Sequence, residues 1–334
     1  MSAKSMQSTN KRPRPNSDPW RFNKNIHPFL RLLASVMPPT PDEVPRISDD
    51  TKVPFYSELN QAMYVVPWAF MPFFMRLIWH GLGYEMPSRW VMWGMLVFFE
   101  MCFVLSWIAK LNALVRAHGY LDQEVPRDTV PDASARQVLF EAMAALFFRP
   151  SLAVFLSYNS AAAPKLTFWL PVQLCVFTLA EDFYYYWLHR ACHEMDDMWA
   201  YHRLHHTTKH PTSLLLGFAD EMQECFDIII VPMMAYFTFP IPFDAFMIWI
   251  TIHISIQIHG HSGLRLYFPT ILTSIFLRPF GLEIATEDHD LHHRHGWRDS
   301  YNYGKQSRFW DHWFGTTGER LECTPTNLDM KAWV

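Results

Sequence analysis

Long apolar runs, separated by short polar segments, dominate the chain between residues 62 and 258. The first two runs, 62–80 and 90–109, contain one charged residue each, Arg76 and Glu100. A helix needs about 20 apolar residues to cross the roughly 30 Å of hydrocarbon in a bilayer. Both runs are apolar on every side, whereas a surface helix of a soluble domain is apolar on one stripe only. We therefore predict that both runs are membrane-spanning helices.

Three further apolar segments are less uniform. Residues 137–158 contain two charged residues and a proline, which indicates either a kinked span or a helix that lies in the membrane interface. Residues 166–188 end in a cluster of aromatic residues, as is typical of a membrane–water boundary. Residues 228–258 are too long for one untilted span, and the segment Pro240-Ile241-Pro242 interrupts them, so they are predicted to form a helical hairpin.

The distribution of basic residues predicts the orientation of these helices. Up to residue 31 the chain contains seven Lys and Arg residues and one acidic residue, which favours the cytosolic side for this segment. If the first four runs all cross and the hairpin returns, the regions around His189 and His261 face the cytosol. If 137–158 does not cross, the same regions face the lumen. We predict the cytosolic arrangement, which depends on whether the run 137–158 crosses the membrane.

Composition narrows the class of protein further. Hydrophobic residues make up 50% of the chain, and charged residues reach only 18%, below the roughly 25% of soluble domains. A net charge of −4 provides no basic surface for nucleic acid, and we predict no such partner. The five cysteines are scattered without a CxxC spacing, which excludes a disulfide scaffold or a cysteine zinc site as the organising feature.

Histidine is the unusual residue, with 17 in the chain and fourteen of them at or after His189. Ten of these fourteen form four boxes: an HxxxH that begins at His189, an HxxHH at His202, an HGHSG at His259 and a second HxxHH at His289. Residues three or four apart share one face of a helix, so each of the spaced boxes presents two imidazoles to one point. The histidine of an HxxHH box that does not belong to this pair can reach a neighbouring metal.

Eight or nine convergent imidazoles are too many for one ion, because zinc takes four ligands in proteins. Two metal ions of higher coordination number fit this number better. Imidazole binds iron, copper, zinc and nickel alike, so the spacing of the boxes does not select the metal.

The boxes and the residues around them resemble the fatty acid hydroxylase/sterol desaturase superfamily, and the pattern is nearest to that of the sterol C-4 methyl oxidases. The resemblance covers about residues 166–316, with four boxes in the same order. The matching segments are EDFYYYWLHRACH (181–193), YHRLHHTTKHP (201–211), HSG (261–263), TEDHDLHH (286–293), NYG (302–304) and WDHWFGT (310–316).

This resemblance implies an enzyme of the endoplasmic-reticulum membrane with a non-haem di-iron centre (Fe2+/Fe3+). Such an enzyme uses O2 as co-substrate and takes electrons from cytochrome b5 and its NADH-dependent reductase, or from an equivalent donor. Carried over by position, the resemblance implies nine metal ligands: His189, His193, His202, His205, His206, His261, His289, His292 and His293.

Several neighbouring residues are candidates for supporting roles. His259, His210 and His295 are possible additional ligands. His259 and His261 cannot both face one metal from a continuous helix, and the resemblance selects His261. Asp182 and Asp288 are predicted to accept hydrogen bonds from the outer N–H groups of ligating imidazoles.

Together these patterns predict an all-α fold, namely a multi-pass membrane helical bundle with a cytosolic, histidine-rich di-metal cap. The predicted organisation is a disordered basic and proline-rich tail (1–57), N-terminal membrane helices (58–160), a di-iron catalytic domain (161–320) and a C-terminal tail (321–334).

The predicted activity is hydroxylation, oxidation or desaturation of a sterol or sterol-like lipid in lipid biosynthesis, with membrane lipid as the surroundings. One alternative is a hydroxylase or desaturase of fatty acyl chains or sphingolipids. Another alternative, of a different class, is a histidine-rich membrane protein that binds or transports metal. The third box continues as HSGLRLYFP, two residues longer than the usual HSGYDFP of sterol methyl oxidases, so the substrate stays open.

Overall fold

The computed structural model describes residues 28–48 and 50–333. Three of its helices are long and apolar enough to cross a membrane: α2 (Glu58–Gly81), α3 (Arg89–His118) and α4 (Ala135–Ser157). The side chains of Ser57 and Ser88 cap the first two of these helices by accepting a hydrogen bond from a backbone N–H of the first turn. The predicted runs 62–80 and 90–109 are thus confirmed as membrane-length helices.

The segment 137–158, which the sequence left open, belongs to this group. It forms one continuous helix, α4, with Pro150 inside it. The remaining helices are α1 (Pro28–Ser35), α5 (Leu170–Glu194), α6 (Asp196–His202), α7 (Glu221–Cys225), α8 (Val231–Thr238), α9 (Phe243–Gly260), α10 (Ser274–Leu277), α11 (Thr286–His295) and α12 (Phe309–Phe314).

The predicted hairpin at 228–258 is present as two helical arms. One π-helical turn, Phe226–Ile230, joins α7 to α8, and the chain then breaks before α9. All side chains of α9 from Phe243 to His259 are buried, because α2, α3, α4, α5 and α11 pack around this helix. Its polar side chains contact protein groups, and the Arg149 guanidinium, for example, donates to the Gln257 side-chain amide oxygen at 2.7 Å. Helix α9 is therefore the central element of the core.

The predicted tail 1–57 is ordered in the part that the structure describes, and the prediction of disorder is wrong there. Residues 1–27 lie outside the described residues. Strand β1 (Val53–Phe55) pairs in parallel with strand β2 (Leu328–Trp333), which is formed by the predicted C-terminal tail. The Asn112 side-chain amide donates to the carbonyls of Val36 and Met37, at 3.0 Å each. These partners are distant in sequence, so a search for local periodicity does not detect them.

The structure confirms the predicted all-α, membrane-type bundle with a histidine-rich cap, to which the two short strands are an addition. The cap lies at the end of α5 and α9 where both helices reach their histidines. Helix α5 continues beyond the apolar run 166–188 through its last turn, in which Arg190 and Glu194 form an i,i+4 ion pair at 2.7 Å. That extension places His189 and His193 on one helix.

Candidate metal centre

The structure brings the nine predicted histidines together in two adjacent groups, all of them buried. Within each group the potential ligand atoms lie within 4.8 Å of one another. We call them the five-histidine group and the four-histidine group. The first contains His189, His193, His202, His206 and His292, and the second contains His205, His261, His289 and His293.

The two HxxHH boxes are interleaved between the groups. The pair at i and i+4 enters one group in each case: His202 and His206 join the five-histidine group, whereas His289 and His293 join the four-histidine group. The remaining member, His205 or His292, enters the other group. Each box therefore contributes to both groups, as expected if the third histidine reaches a neighbouring metal.

Backbone carbonyls fix the tautomer of most of these rings. A carbonyl oxygen can only accept, so the Nδ1 atom that contacts it carries the proton and Nε2 keeps its lone pair. Six rings are held in this way, and in each the ring's Nε2 is free for a metal. In each case the histidine Nδ1–H donates to a backbone carbonyl oxygen: His189 to Tyr303 (2.8 Å), His193 to Trp297 (3.0 Å), His205 to Phe218 (3.3 Å), His261 to Gln257 (2.9 Å), His292 to Tyr301 (2.7 Å) and His293 to Thr208 (2.9 Å).

The contacts between Nε2 atoms fit a cation. In His205 and His261 both Nδ1 atoms are protonated, yet their bare Nε2 atoms lie 3.2 Å apart, where neither can donate. Two nitrogens bound at about 2.1 Å to one ion, at a right angle, are about 3.0 Å apart. The Nε2 atoms of His193 and His293 are buried without a hydrogen-bond partner. The donor set therefore suits metal ions and leaves buried acceptors unsatisfied without them.

Burial also prepares the rings electrostatically. Burial lowers the pKa of His205 to about 4. Burial, and then the neighbouring imidazoles, hold the pKa values of His206 and His289 well below the ordinary range of histidine. These rings are consequently neutral at physiological pH, which is the form that binds metal.

Comparison with known proteins agrees with this geometry. The family model "Fatty acid hydroxylase" matches residues 174–316. This segment is similar to fatty acid hydroxylases. It contains all nine histidines of the two groups, and the resemblance found in the sequence is confirmed.

Three curated relatives show how far the similarity extends. The fatty acid hydroxylase vlmA of a Lecanicillium species is 40% identical over 65% of this chain and 63% of its own length. The methylsterol monooxygenase erg25A of Aspergillus fumigatus is 32% identical over 44% of this chain and 47% of its own. A very-long-chain aldehyde decarbonylase of Oryza sativa subsp. japonica is 29% identical over 44% and 46%. The chain thus spans less than two thirds of the length of each relative. No solved structure is significantly similar to it.

Within this segment Asp182 and Asp288 accept hydrogen bonds from backbone N–H groups and other side chains rather than from imidazoles, so the role predicted for them is wrong. Asp182 accepts hydrogen bonds from the N–H groups of Lys305 and Gln306, at 2.7 and 2.8 Å, and from the Ser307 hydroxyl at 2.7 Å. Asp288 accepts from the Arg320 guanidinium at 2.7 and 2.9 Å and from the Ala285 N–H at 2.8 Å. Carbonyl oxygens take the imidazole N–H groups instead.

The sequence analysis missed Asp311, which holds the segment that supplies two of those carbonyls. Its carboxylate accepts from the N–H groups of Tyr303 and Gly304, at 2.7 Å each, and from the Thr316 hydroxyl at 2.8 Å. Burial raises the pKa of Asp311 to about 7. A side chain at Gly304 would collide with the Ser307 carbonyl oxygen. The signal was available, because Asp311 and Gly304 lie in the WDHWFGT and NYG motifs.

The three possible additional ligands lie outside both groups. His259 donates from Nε2 to the Phe268 carbonyl at 3.2 Å and stacks on the Phe268 ring. His210 lies 3.8 Å from the Asp122 carboxylate, and His295 packs against the Tyr301 ring. Helix α9 ends at Gly260, so His261 lies beyond its last turn and turns towards His205 and His289.

Proposed function

We propose that this chain is a membrane-bound, non-haem di-iron oxygenase that uses O2 and external electrons to oxidise a C–H bond of a lipid. The observation that carries the proposal is the convergence of nine buried imidazoles into two adjacent groups. The names of the matched relatives add support, since each describes oxidation or related processing of a lipid.

Iron is the metal that we propose for both groups. Bound iron would supply the redox chemistry towards O2 for which side chains alone have no equivalent. The residues of the chain then have three tasks. They present neutral imidazoles with bare Nε2 atoms, they fix each ring through a carbonyl, and they keep water away from the centre by burial.

A small cavity, lined in part by residues close in sequence to ligands of the four-histidine group, is proposed to take a segment of the lipid. It has a volume of about 70 Å3 and lies between α1, α3, α4, α9 and the turn Ser213–Gly217. Ile258 in its wall precedes His261 by three residues, and Gly217 adjoins Phe218, whose carbonyl holds His205. Most of the lining is aliphatic, which suits an apolar lipid segment. Four charged residues lie in the same wall: Glu141, Arg149, Glu224 and Asp227.

A sterol or sterol-like lipid is the first candidate substrate, and its support is the pattern of boxes shared with methylsterol monooxygenases. A fatty acyl chain is the second candidate. The match to the fatty acid hydroxylase vlmA favours it, because that match extends well beyond residues 174–316 and has the higher identity. A metal transporter is disfavoured, since the histidines lie at helix ends and in loops rather than along the membrane-length helices.

We further propose that the protein resides in the endoplasmic-reticulum membrane with the centre facing the cytosol. The basic residues before residue 32 support this orientation. It also requires α5 to cross the membrane, because the three membrane-length helices before it would by themselves leave the centre on the opposite side. Cytochrome b5 with its NADH-dependent reductase, or an equivalent pair, is the proposed electron donor.

Lipid profiling tests the proposal most directly. Cells that lack the chain are complemented with the native protein or with His292→Ala, and sterol, fatty acyl and sphingolipid fractions are compared. We expect an oxidised lipid to appear with the native chain only, and purified native protein to contain about two irons, as the ligand count requires. One tightly bound zinc, without iron-dependent oxidation, would refute the di-iron assignment.

A further inference from the structure

Two stacked tryptophans connect the five-histidine group with the protein surface. The Trp199 ring lies against three rings of the group, with centroid distances of 5.4 Å to His193, 5.7 Å to His206 and 6.1 Å to His202. The Trp297 ring stacks on Trp199 at 5.8 Å, with an angle of 20° between the planes. Since Trp297 is 41% exposed, the stack continues from the buried imidazoles to solvent.

A hydrogen bond adds a second connection at the same place. The Nδ1–H of His193 donates to the backbone carbonyl of Trp297 at 3.0 Å. The exposed residue is thereby linked to a proposed ligand through one hydrogen bond, and also through the intervening Trp199 ring. Electron transfer through protein slows steeply with distance, so short paths through π-systems and hydrogen bonds are the effective ones.

The four-histidine group has different neighbours. Among the described ring contacts, its four members touch only other histidine rings. The two groups are nevertheless in contact, because the His206 and His293 rings stack at 4.7 Å. An electron that reaches the five-histidine group is therefore close to both.

The surface around Trp297 suits a protein partner. The Arg298 guanidinium lies over the Trp297 ring at 4.8 Å and pairs with the Asp196 carboxylate at 2.5 Å. Tryptophan and arginine are enriched among the residues that dominate binding at protein interfaces. Stacking on Trp199 and on Arg298 already holds the ring, so a partner that binds it loses little side-chain entropy.

We propose that the Trp199–Trp297 pair is the docking and electron-transfer site for an external one-electron carrier protein. This inference rests on the proposed function, because an oxygenase requires such electrons. In hydroxylation, RH + O2 + 2 H+ + 2 e− gives ROH + H2O: one oxygen atom is inserted into the C–H bond and the other is reduced to water. Two successive carrier molecules each donate one electron and leave oxidised.

The test uses the iron-loaded full chain and the reduced, soluble haem domain of a cytochrome b5 as the probe. Oxidation of the haem is followed by stopped-flow absorbance for the native protein, Trp297→Leu and Trp297→Phe. The control, Trp313→Leu, removes another exposed tryptophan, one that stacks on Phe309. Reduction by dithionite and iron content are measured in parallel. All variants keep the backbone carbonyl that holds His193.

We expect Trp297→Leu to slow haem oxidation about tenfold or more, the size of effect seen when a central interface aromatic is truncated. Trp297→Phe should retain most of the native rate, because its ring still stacks on Trp199. Trp313→Leu, dithionite reduction and iron content should stay unchanged.

A native rate of haem oxidation in Trp297→Leu would overturn the inference. An equal slowing with dithionite would overturn it too, since Trp297 would then act only by holding His193. If the native protein contains no reducible iron, the proposed function fails. Docking is still tested in that case by binding of the oxidised haem domain, whose Kd should rise about tenfold in Trp297→Leu.

Discussion

The five-histidine and four-histidine groups are built from the same boxes, but their surroundings differ. The five-histidine group lies under the segment that contains Trp297, Tyr301 and Tyr303, whose carbonyls hold three of its rings. The four-histidine group lies at the end of α9, where His261 directly follows the helix. Under the proposed function, this difference would divide the roles: the five-histidine side would face the electron donor and the other side would face the lipid.

Because the two HxxHH boxes are interleaved, the two groups cannot behave fully independently. His205 and His206 are adjacent in sequence but enter different groups, and so do His292 and His293. A displacement of either box therefore disturbs both groups at once. Independent behaviour can be tested only through residues that touch one group alone.

The largest effect is expected from breaking the four-histidine group at His261. We predict that His261→Ala abolishes turnover and lowers iron content, whereas the matched variant His259→Ala keeps at least part of both. The reason is direction: the His261 Nε2 faces His205 and His289, but the His259 Nε2 is bonded to the Phe268 carbonyl. Iron analysis and product formation measure this pair, and the reverse ranking would show that the HSG motif misled the assignment.

A deletion at the N-terminus tests the support of α11, the helix that carries histidines of both groups. Glu287 on α11 accepts hydrogen bonds from the N–H groups of Leu321, Glu322 and Cys323, which lead into β2. Since β2 pairs with β1, we predict that a deletion through residue 57 lowers the amount of folded, iron-containing protein severely. A deletion through residue 27 should preserve turnover. Membrane yield and iron per chain are the measurements, and equal behaviour of the two deletions would contradict the expectation.

The sequence predicts the candidate ligands better than the groups that hold their rings in place. The convergence of spaced histidines was predictable because i,i+4 spacing on a helix is a local property and survives folding, as in His189 and His193. The full set of nine candidate ligands came from the family resemblance. The groups that hold the rings are mostly backbone carbonyls, which leave no side-chain signal. The order of residues 28–57 was equally hidden, since Val53 pairs with Leu328 across most of the chain. Which histidine enters which group also required the structure.

A smaller and more selective effect is expected at Asp311, which supports only the segment over the five-histidine group. Asp311→Ala removes the acceptor for the Tyr303 and Gly304 N–H groups, so the carbonyl that holds His189 becomes mobile. We predict a loss of roughly 10–100-fold in metal affinity or activity, the range observed when a residue that orients a ligand is removed. The exposed Asp299→Ala serves as the control. Metal titration should show weakening of one site more than the other, and equal weakening would contradict the separate support of the two groups.

The smallest effect is a dependence of stability on pH in the metal-free protein. Burial lowers the pKa of His205 to about 4 in the folded chain, whereas an unfolded histidine titrates at about 6.5. Between these values the unfolded state binds more protons, so stability is fully present above about pH 6.5 and declines as the pH falls towards 4. Burial raises the pKa of Asp311 to about 7 and that of Glu224 to about 8, and it also raises the pKa of Glu287. These carboxyls act in the opposite direction, but the buried imidazoles with lowered pKa values are more numerous. We therefore predict that the melting temperature in detergent falls between pH 7 and pH 5, and that iron loading shrinks this fall because bound metal excludes protons from the rings. A melting temperature that does not change over this interval in the metal-free protein would mean that the histidines are already hydrated, and that the centre is far more open than the buried rings indicate.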